Sequence, residues 1–283
     1  MPRIAIIGGG SIGEALLSGL LRAGRQVKDL VVAEKFPERA KYLADTYSVL
    51  VTSVADAAEN ATYVIVAVKP ADVDAAIGEI AGAVAKADDN SEEQVVVSVA
   101  AGVSTSFYES KLPAGAPVIR VMPNAPMVVG GGVSALSRGR FATDEHLKEV
   151  SAIFDTVGGV LTVPEVQLDA VTAVSGSGPA YFFLMVEALV DAAVASGLSR
   201  GVATDLVSQT MAGSAAMLLD RLDSAPDTAL DTTAAQLRAI VTSPGGTTAA
   251  GLRELERGGL RAAVADAVAA AKTRSEQLGI TSE

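Results

Sequence analysis

Near its start the chain reads Arg3-Ile-Ala-Ile-Ile-Gly-Gly-Gly-Ser-Ile-Gly-Glu-Ala-Leu-Leu17, which places Gly8, Gly10 and Gly13 in the order G-x-G-x-x-G. The spacing carries weight only where a strand turns into a helix, and here a short apolar run precedes it and a helical pattern follows. Gly8 permits the tight turn, Gly10 leaves room for main chain beside a pyrophosphate, and Gly13 lets the helix pack on the strand. Ser11 and Ile12 open that helix, whose unpaired N–H groups suit an anion. A glycine turn with no ligand is the bland alternative.

Glu34 ends the next β-branched run, about twenty residues past the loop, where a ribose-binding acid belongs. A carboxylate there accepts from a ribose 2′-OH and repels a 2′-phosphate. Lys35 pulls the other way, so NADH and NADPH both remain open as cofactor; an exposed strand-end pair is the plain alternative. Three further segments fall at carboxyl ends of predicted strands: Val66-Ala-Val-Lys-Pro70, Ser98-Val-Ala-Ala-Gly-Val103 and Met122-Pro-Asn-Ala-Pro126. Doubly wound sheets bind ligands at such ends, which makes Val68, Lys69, Pro70, Ala100, Ala101 and Asn124 cofactor-binding candidates. Lys69 meets ribose or phosphate, or faces solvent.

The second half holds two hydroxyl-rich segments, Ser175-Gly-Ser-Gly-Pro-Ala-Tyr181 and Thr242-Ser-Pro-Gly-Gly-Thr-Thr248. Each is expected to precede a helix, the first with Pro179 at the favoured first position. Free N–H groups at such a helix start can hold a carboxylate without arginine. Capping loops with no ligand are the competing reading.

These residues need a scaffold. Arg3–Ile7, Leu30–Ala33, Tyr63–Val68, Gln94–Val99 and Val118–Val121 are mainly apolar without alternation, as strands buried on both faces are. Ser11–Ala23, Pro37–Tyr47 and Asp72–Val84 between them have helical length and spacing, so a parallel α/β sheet is expected. Gly132–Ser137 and Val160–Val163 are candidates to extend it, and Ala85–Glu93 is expected to be a surface loop. Beyond Pro164 the strands stop; Pro179–Ser196, Ala203–Leu222, Thr247–Arg257 and Arg261–Leu278 are expected helices, with Asp223–Thr233 a polar connection. The predicted organisation is an α/β fold with a Rossmann dinucleotide-binding domain over residues 1–163 and an all-helical substrate and dimerisation domain over 164–283.

Composition narrows the chemistry. The chain has no cysteine, which excludes disulfides, thiolate metal sites and cysteine nucleophiles. A cytoplasmic protein is expected. A net charge of −11 argues against nucleic acid and anionic lipid as partners. The most apolar stretch, Ala180–Leu198, contains Glu187 and Asp191, so no membrane span is expected. A signal peptide is not expected either, since Gly8–Gly10 interrupts the first apolar run. The single histidine, His146, sits in what reads as a solvated helix start, without catalytic neighbours. Pro179–Ser196 is apolar nearly all round, which calls for burial against a second copy of the chain.

Taken together, the glycine loop, Val66–Pro70, Ala100–Gly102, Arg120-Val-Met-Pro-Asn124, Ser175–Tyr181 and Ser243–Thr248 resemble the pyrroline-5-carboxylate reductase family over nearly the whole chain. The resemblance implies NAD(P)H-dependent reduction of 1-pyrroline-5-carboxylate to L-proline, the last step of proline biosynthesis. It implies a homo-oligomer built from dimers with interleaved C-terminal helices. It also implies that Gly246, Thr247 and Thr248 cradle the substrate, that Glu165 lies near it, and that Thr248 and Ser175 serve catalysis. The chain departs from the family at Glu34, where many relatives carry a small polar residue, and in the longer Asp223–Thr233 connection. Two rivals stand beside this reading. A β-hydroxyacid reductase would want a lysine on the substrate helix, and none occurs between Lys148 and Lys272. A non-catalytic cofactor-binding module would have no use for two helix-start loops.

Overall fold

In a computed structural model, residues 2–84, 93–223 and 233–280 are described. The expected surface loop at 85–92 and the middle of the polar connection, 224–232, lie outside them. The elements run β1 Ile4–Ile7, α1 Ser11–Arg22, β2 Leu30–Ala33, α2 Pro37–Tyr47, β3 Leu50–Thr52, α3 Val54–Ala58, β4 Tyr63–Val66, α4 Val73–Val84, β5 Val95–Ser98, α5 Thr105–Lys111, β6 Val118–Met122, β7 Gly132–Arg138, α6 Asp144–Phe154 and β8 Gly158–Thr162. Helices follow: α7 Leu168–Val171, α8 Gly178–Ala195, α9 Arg200–Asp223, α10 Thr233–Ile240, α11 Thr247–Arg257 and α12 Leu260–Ile280.

The eight strands form one sheet in the order β3-β2-β1-β4-β5-β6-β7-β8. All neighbours pair in parallel except β6 and β7. Chain order reverses at β1, which lies between β2 and β4, and that is where such sheets open a ligand crevice. Because side chains alternate along a strand, each strand serves two cores. Ile4, Ile6, Val32, Ile65 and Val97 belong to one cluster; Ala5, Ile7, Val31, Val64 and Val96 belong to the other. Continuous apolar strands are the consequence, in agreement with the sequence pattern.

The chain divides into two compact units, Met1–Pro179 with Val268–Glu283, and Ala180–Ala267. The second exposes much apolar surface: Phe182 (64 %), Phe183 (60 %) and Leu184 (66 %) on α8, with Leu206, Met217 and Leu219 on α9.

Four expectations need correction. β3, α3, α5 and α10 are short elements that period counting missed, since three to eight residues give a weak signal. β4 ends at Val66, not Val68, because the chain turns beside Gly8 to reach Pro70. The segment before Pro179 is not a loop: Leu168–Val171 passes into one turn of π-helix, Thr172–Gly176, and after Ser177 α8 begins at Gly178, which leaves Pro179 in the first turn of α8, one position in from the expected start. Finally, Glu165–Ala195 is long and apolar enough, by length and composition, to cross a membrane. The two acids noted within this stretch are too few to exclude it on that test.

Candidate functional site

The glycine loop follows β1 directly. Gly8 has φ +104°, and a Cβ there would stand 2.8 Å from the carbonyl oxygen of Ala67. Its N–H donates to Ala33 O at 2.8 Å, tying the loop to the end of β2. A Cβ on Gly13 would fall 2.0 Å from Gly8 O, so α1 packs against the turn only because the residue is glycine. A Cβ on Gly10 would meet nothing within 4 Å, which leaves the loop's outer side open. Gly10 is also the N-cap of α1 and brings no capping side chain. Ser11 and Ile12 are therefore the first residues of a helix whose leading N–H groups are left for an anion. These features fit a dinucleotide pyrophosphate.

Glu34 sits beside this turn. Its Oε2 accepts the N–H of Gly9 at 2.9 Å and its Oε1 accepts the N–H of Phe36 at 2.9 Å. Lys35 turns away and pairs with Asp72 at 2.8 Å. Sequence reasoning missed Arg39 on α2. Its Nε donates to Gly9 O at 2.7 Å and its guanidinium pairs with Glu14 on α1. Both polar groups of Gly9 are thus held by side chains from the β2–α2 segment. Partial burial pushes the Glu14 carboxyl up, but bonds from Arg39, Tyr47 and Tyr42 outweigh it and hold the group below its usual range.

Along the same carboxyl edge, Val68 packs beside Gly8, while Lys69 and Pro70 are exposed at the start of a short 3-10 turn. Ala100 is buried and its N–H donates to Ser98 Oγ at 3.3 Å. Ala101 follows, half-buried, before Gly102 in a left-handed conformation, φ +77°. Asn124, past the end of β6, has both ends of its amide engaged: Oδ1 accepts from Val133 N at 2.8 Å and Nδ2 donates to Ser175 O at 3.1 Å. Ser175 lies in the π turn, where its hydroxyl donates to Val171 O at 3.0 Å. The expected free N–H groups are not all free, since Ser177 N donates to Thr172 O.

Glu165 gathers three donors: Thr105 N at 2.8 Å, Thr105 Oγ1 at 2.6 Å and Arg120 Nη1 at 3.1 Å. The carboxylate meets the first turn of α5 and a guanidinium on β6 that is almost wholly buried. Desolvation makes the pairing count, since neither charge is left without a partner. Thr105 is the residue that motif reading passes over, and Arg120 enters it only as the start of the Arg120–Asn124 stretch, without this partner.

In the second unit, Ser243–Gly246 makes a turn closed by Gly246 N to Ser243 O at 3.0 Å, with Gly245 at φ +70°. Gly246 is the N-cap of α11 and offers no side chain, so the first-turn N–H groups of Thr247 and Thr248 are not capped by it. That helix begins and ends where its sequence pattern indicated. His146, by contrast, closes a capping box with Thr143 at the start of α6, a structural role.

Comparison with known proteins agrees with this geometry. Residues 165–278 match the family described as pyrroline-5-carboxylate reductase dimerisation, and residues 3–102 match NADP oxidoreductase, coenzyme F420-dependent. The chain is 70 % identical to pyrroline-5-carboxylate reductase of Mycobacterium tuberculosis, covering 100 % of this chain and 99 % of that one. A solved pyrroline-5-carboxylate reductase from Coxiella burnetii is 32 % identical, with 98 % of each chain covered and a TM-score of 0.87. The Plasmodium falciparum pyrroline carboxylate reductase, solved with NADP bound, is 28 % identical over 98 % of each chain, with a TM-score of 0.80.

Proposed function

This chain belongs to the pyrroline-5-carboxylate reductase family, and from that premise we propose how its own residues carry the reaction. It is an NAD(P)H-dependent oxidoreductase of the last step of proline biosynthesis, and its substrate is a small molecule. The observation that carries the proposal is the pair of uncapped helix starts: α1 behind Gly10 for a pyrophosphate, and α11 behind Gly246 for a substrate carboxylate.

We assign Gly8, Gly10, Ser11, Ile12 and Gly13 to the pyrophosphate, and Glu34 with Lys35 to the ribose end. Val68, Lys69, Pro70, Ala100 and Ala101 border the rest of the dinucleotide. When bound, the reduced nicotinamide supplies a hydride. The new C–H bond forms at the C=N carbon, the π electrons pass to nitrogen, and that nitrogen keeps or takes a proton. An imine is readily protonated near neutral pH, so orientation and exclusion of water do more than a strong acid would. Gly246, Thr247 and Thr248 hold the carboxylate, and the Thr248 hydroxyl meets the ring nitrogen. Ser175 assists from the π turn. The part of Glu165 is indirect, through the Thr105 and Arg120 groups it fixes.

The exposed apolar faces of α8 and α9 support assembly into dimers through the helical region, residues 164–283, with larger oligomers built from them. The same partner would cover the Glu165–Ala195 run, so this apolar stretch faces protein and not lipid. The acidic surface leaves no role for nucleic acid, and we place the enzyme in the cytoplasm. The deciding assay follows nicotinamide oxidation with 1-pyrroline-5-carboxylate. Proline-forming turnover is the expected result, and none with either cofactor would refute the proposal.

A further inference from the structure

We propose that Asn124 is a positioning residue that sets the π turn carrying Ser175, and that its amide does not itself contact the cofactor. The inference rests on the proposed role of Ser175 and goes beyond it.

The need for such a residue follows from Pro179. In an α-helix the N–H of residue 179 would donate to the carbonyl of Ser175, but proline has no N–H, and its ring crowds that carbonyl. The chain widens into a π turn over Thr172–Gly176 immediately before it. The carbonyl of Ser175 then lacks its α-helical donor, and Asn124 Nδ2 stands 3.1 Å away and supplies one. The other end of the amide accepts from Val133 N at 2.8 Å, so its orientation is set by the first residues of β7. A second contact reinforces the first. A Cβ on Gly176 would lie 3.0 Å from Met122 Cε, so the turn sits closely on the end of β6. With both ends of its amide committed to main chain, Asn124 ties the carboxyl edge of the sheet to the turn that presents Ser175. Single-turn π bulges are frequent at functional sites, and here one is held by a side chain from another element.

Asn124→Asp is the sharpest probe. It keeps the shape and the acceptor for Val133 N, and replaces the Nδ2 donor by an oxygen facing a carbonyl oxygen. The experiment measures four intact proteins, wild type, Asn124→Asp, Ser175→Ala and the double variant, for kcat/KM with 1-pyrroline-5-carboxylate and for Kd of the reduced cofactor. Asn124→Asp is expected to lower kcat/KM about tenfold while cofactor Kd stays within about threefold, and the double variant is expected to be little worse than the weaker single. A cofactor Kd that weakens in step with kcat/KM overturns the inference, since Asn124 then contacts cofactor directly. Losses that multiply in the double variant overturn it as well. If Ser175→Ala runs at wild-type rate, the reading of Ser175 fails, while the split between kcat/KM and Kd in Asn124→Asp still decides the role of Asn124. The same cycle with Asn124→Ala serves if the aspartate does not fold.

Discussion

The carboxylate of Glu34 accepts the main-chain N–H of Gly9 at 2.9 Å, so the acid that follows β2 also braces the glycine loop. In the proposed cofactor site, a charge fixed there would meet the ribose end of the dinucleotide whichever cofactor binds. NADH should therefore compete with NADPH, with the two kcat/KM values within about a hundredfold, or ~2.7 kcal/mol. Glu34→Gln removes the charge and keeps an acceptor, and should move the ratio toward NADPH by about tenfold. An unchanged ratio would mean that Glu34 serves the loop alone.

Glu14 gives a pH signature to the same region. Its partial burial raises the carboxyl, but Arg39, Tyr47 and Tyr42 overcome this and leave it below its ordinary 4.5. A group depressed in the folded state contributes stability above its unfolded value and loses it as pH falls through its folded value. Glu14→Gln should therefore lower the unfolding midpoint at neutral pH, and the gap from wild type should close in acid below about 4.5. A gap that is constant with pH would remove this account of the Glu14 cluster.

Phe183 on α8 is 60 % exposed in the single chain. Burying a phenylalanine contributes about 1.5–3 kcal/mol, and a charge in its place reverses the sign. Phe183→Glu should shift the protein from dimer or larger to monomer in sedimentation, with loss of activity. A wild-type enzyme that is monomeric and active at assay concentration would contradict the assembly proposed for α8 and α9.

Glu165 holds Thr105 and the buried Arg120 together. Glu165→Ala leaves the guanidinium without its carboxylate and should cost about 2–4 kcal/mol in urea unfolding. Stability equal to wild type would show that solvent already satisfies Arg120.

Much of this was legible in the residues alone. The apolar strands, the order of Gly8, Gly10 and Gly13, and the start of α11 behind Gly246 each follow from local rules that tertiary packing does not override. The rest depended on partners distant in sequence. Arg39 reads as a helix-surface cation until its bond to Gly9 O is seen, and nothing near Thr105 announces Glu165, sixty positions on. Pro179 does sit in the first turn of α8, where its missing N–H is tolerated, but the π turn before it and the Asn124 donor that meets that turn come from packing against a distant strand end.

The most direct measurement is a kinetic comparison of Thr248→Ala with Thr247→Ala. Both sit in the first turn of α11, and both substitutions keep the main-chain N–H groups that the substrate carboxylate would use. Thr248→Ala should lower kcat/KM for 1-pyrroline-5-carboxylate by one to two decades, about 1.5–3 kcal/mol, while the KM for cofactor barely changes. Thr247→Ala should cost less. If Thr247→Ala fails while Thr248→Ala runs at wild-type rate, the hydroxyl that meets the ring nitrogen is the other one; if both run at wild-type rate, the start of α11 is only a helix cap and the proposed substrate site is wrong.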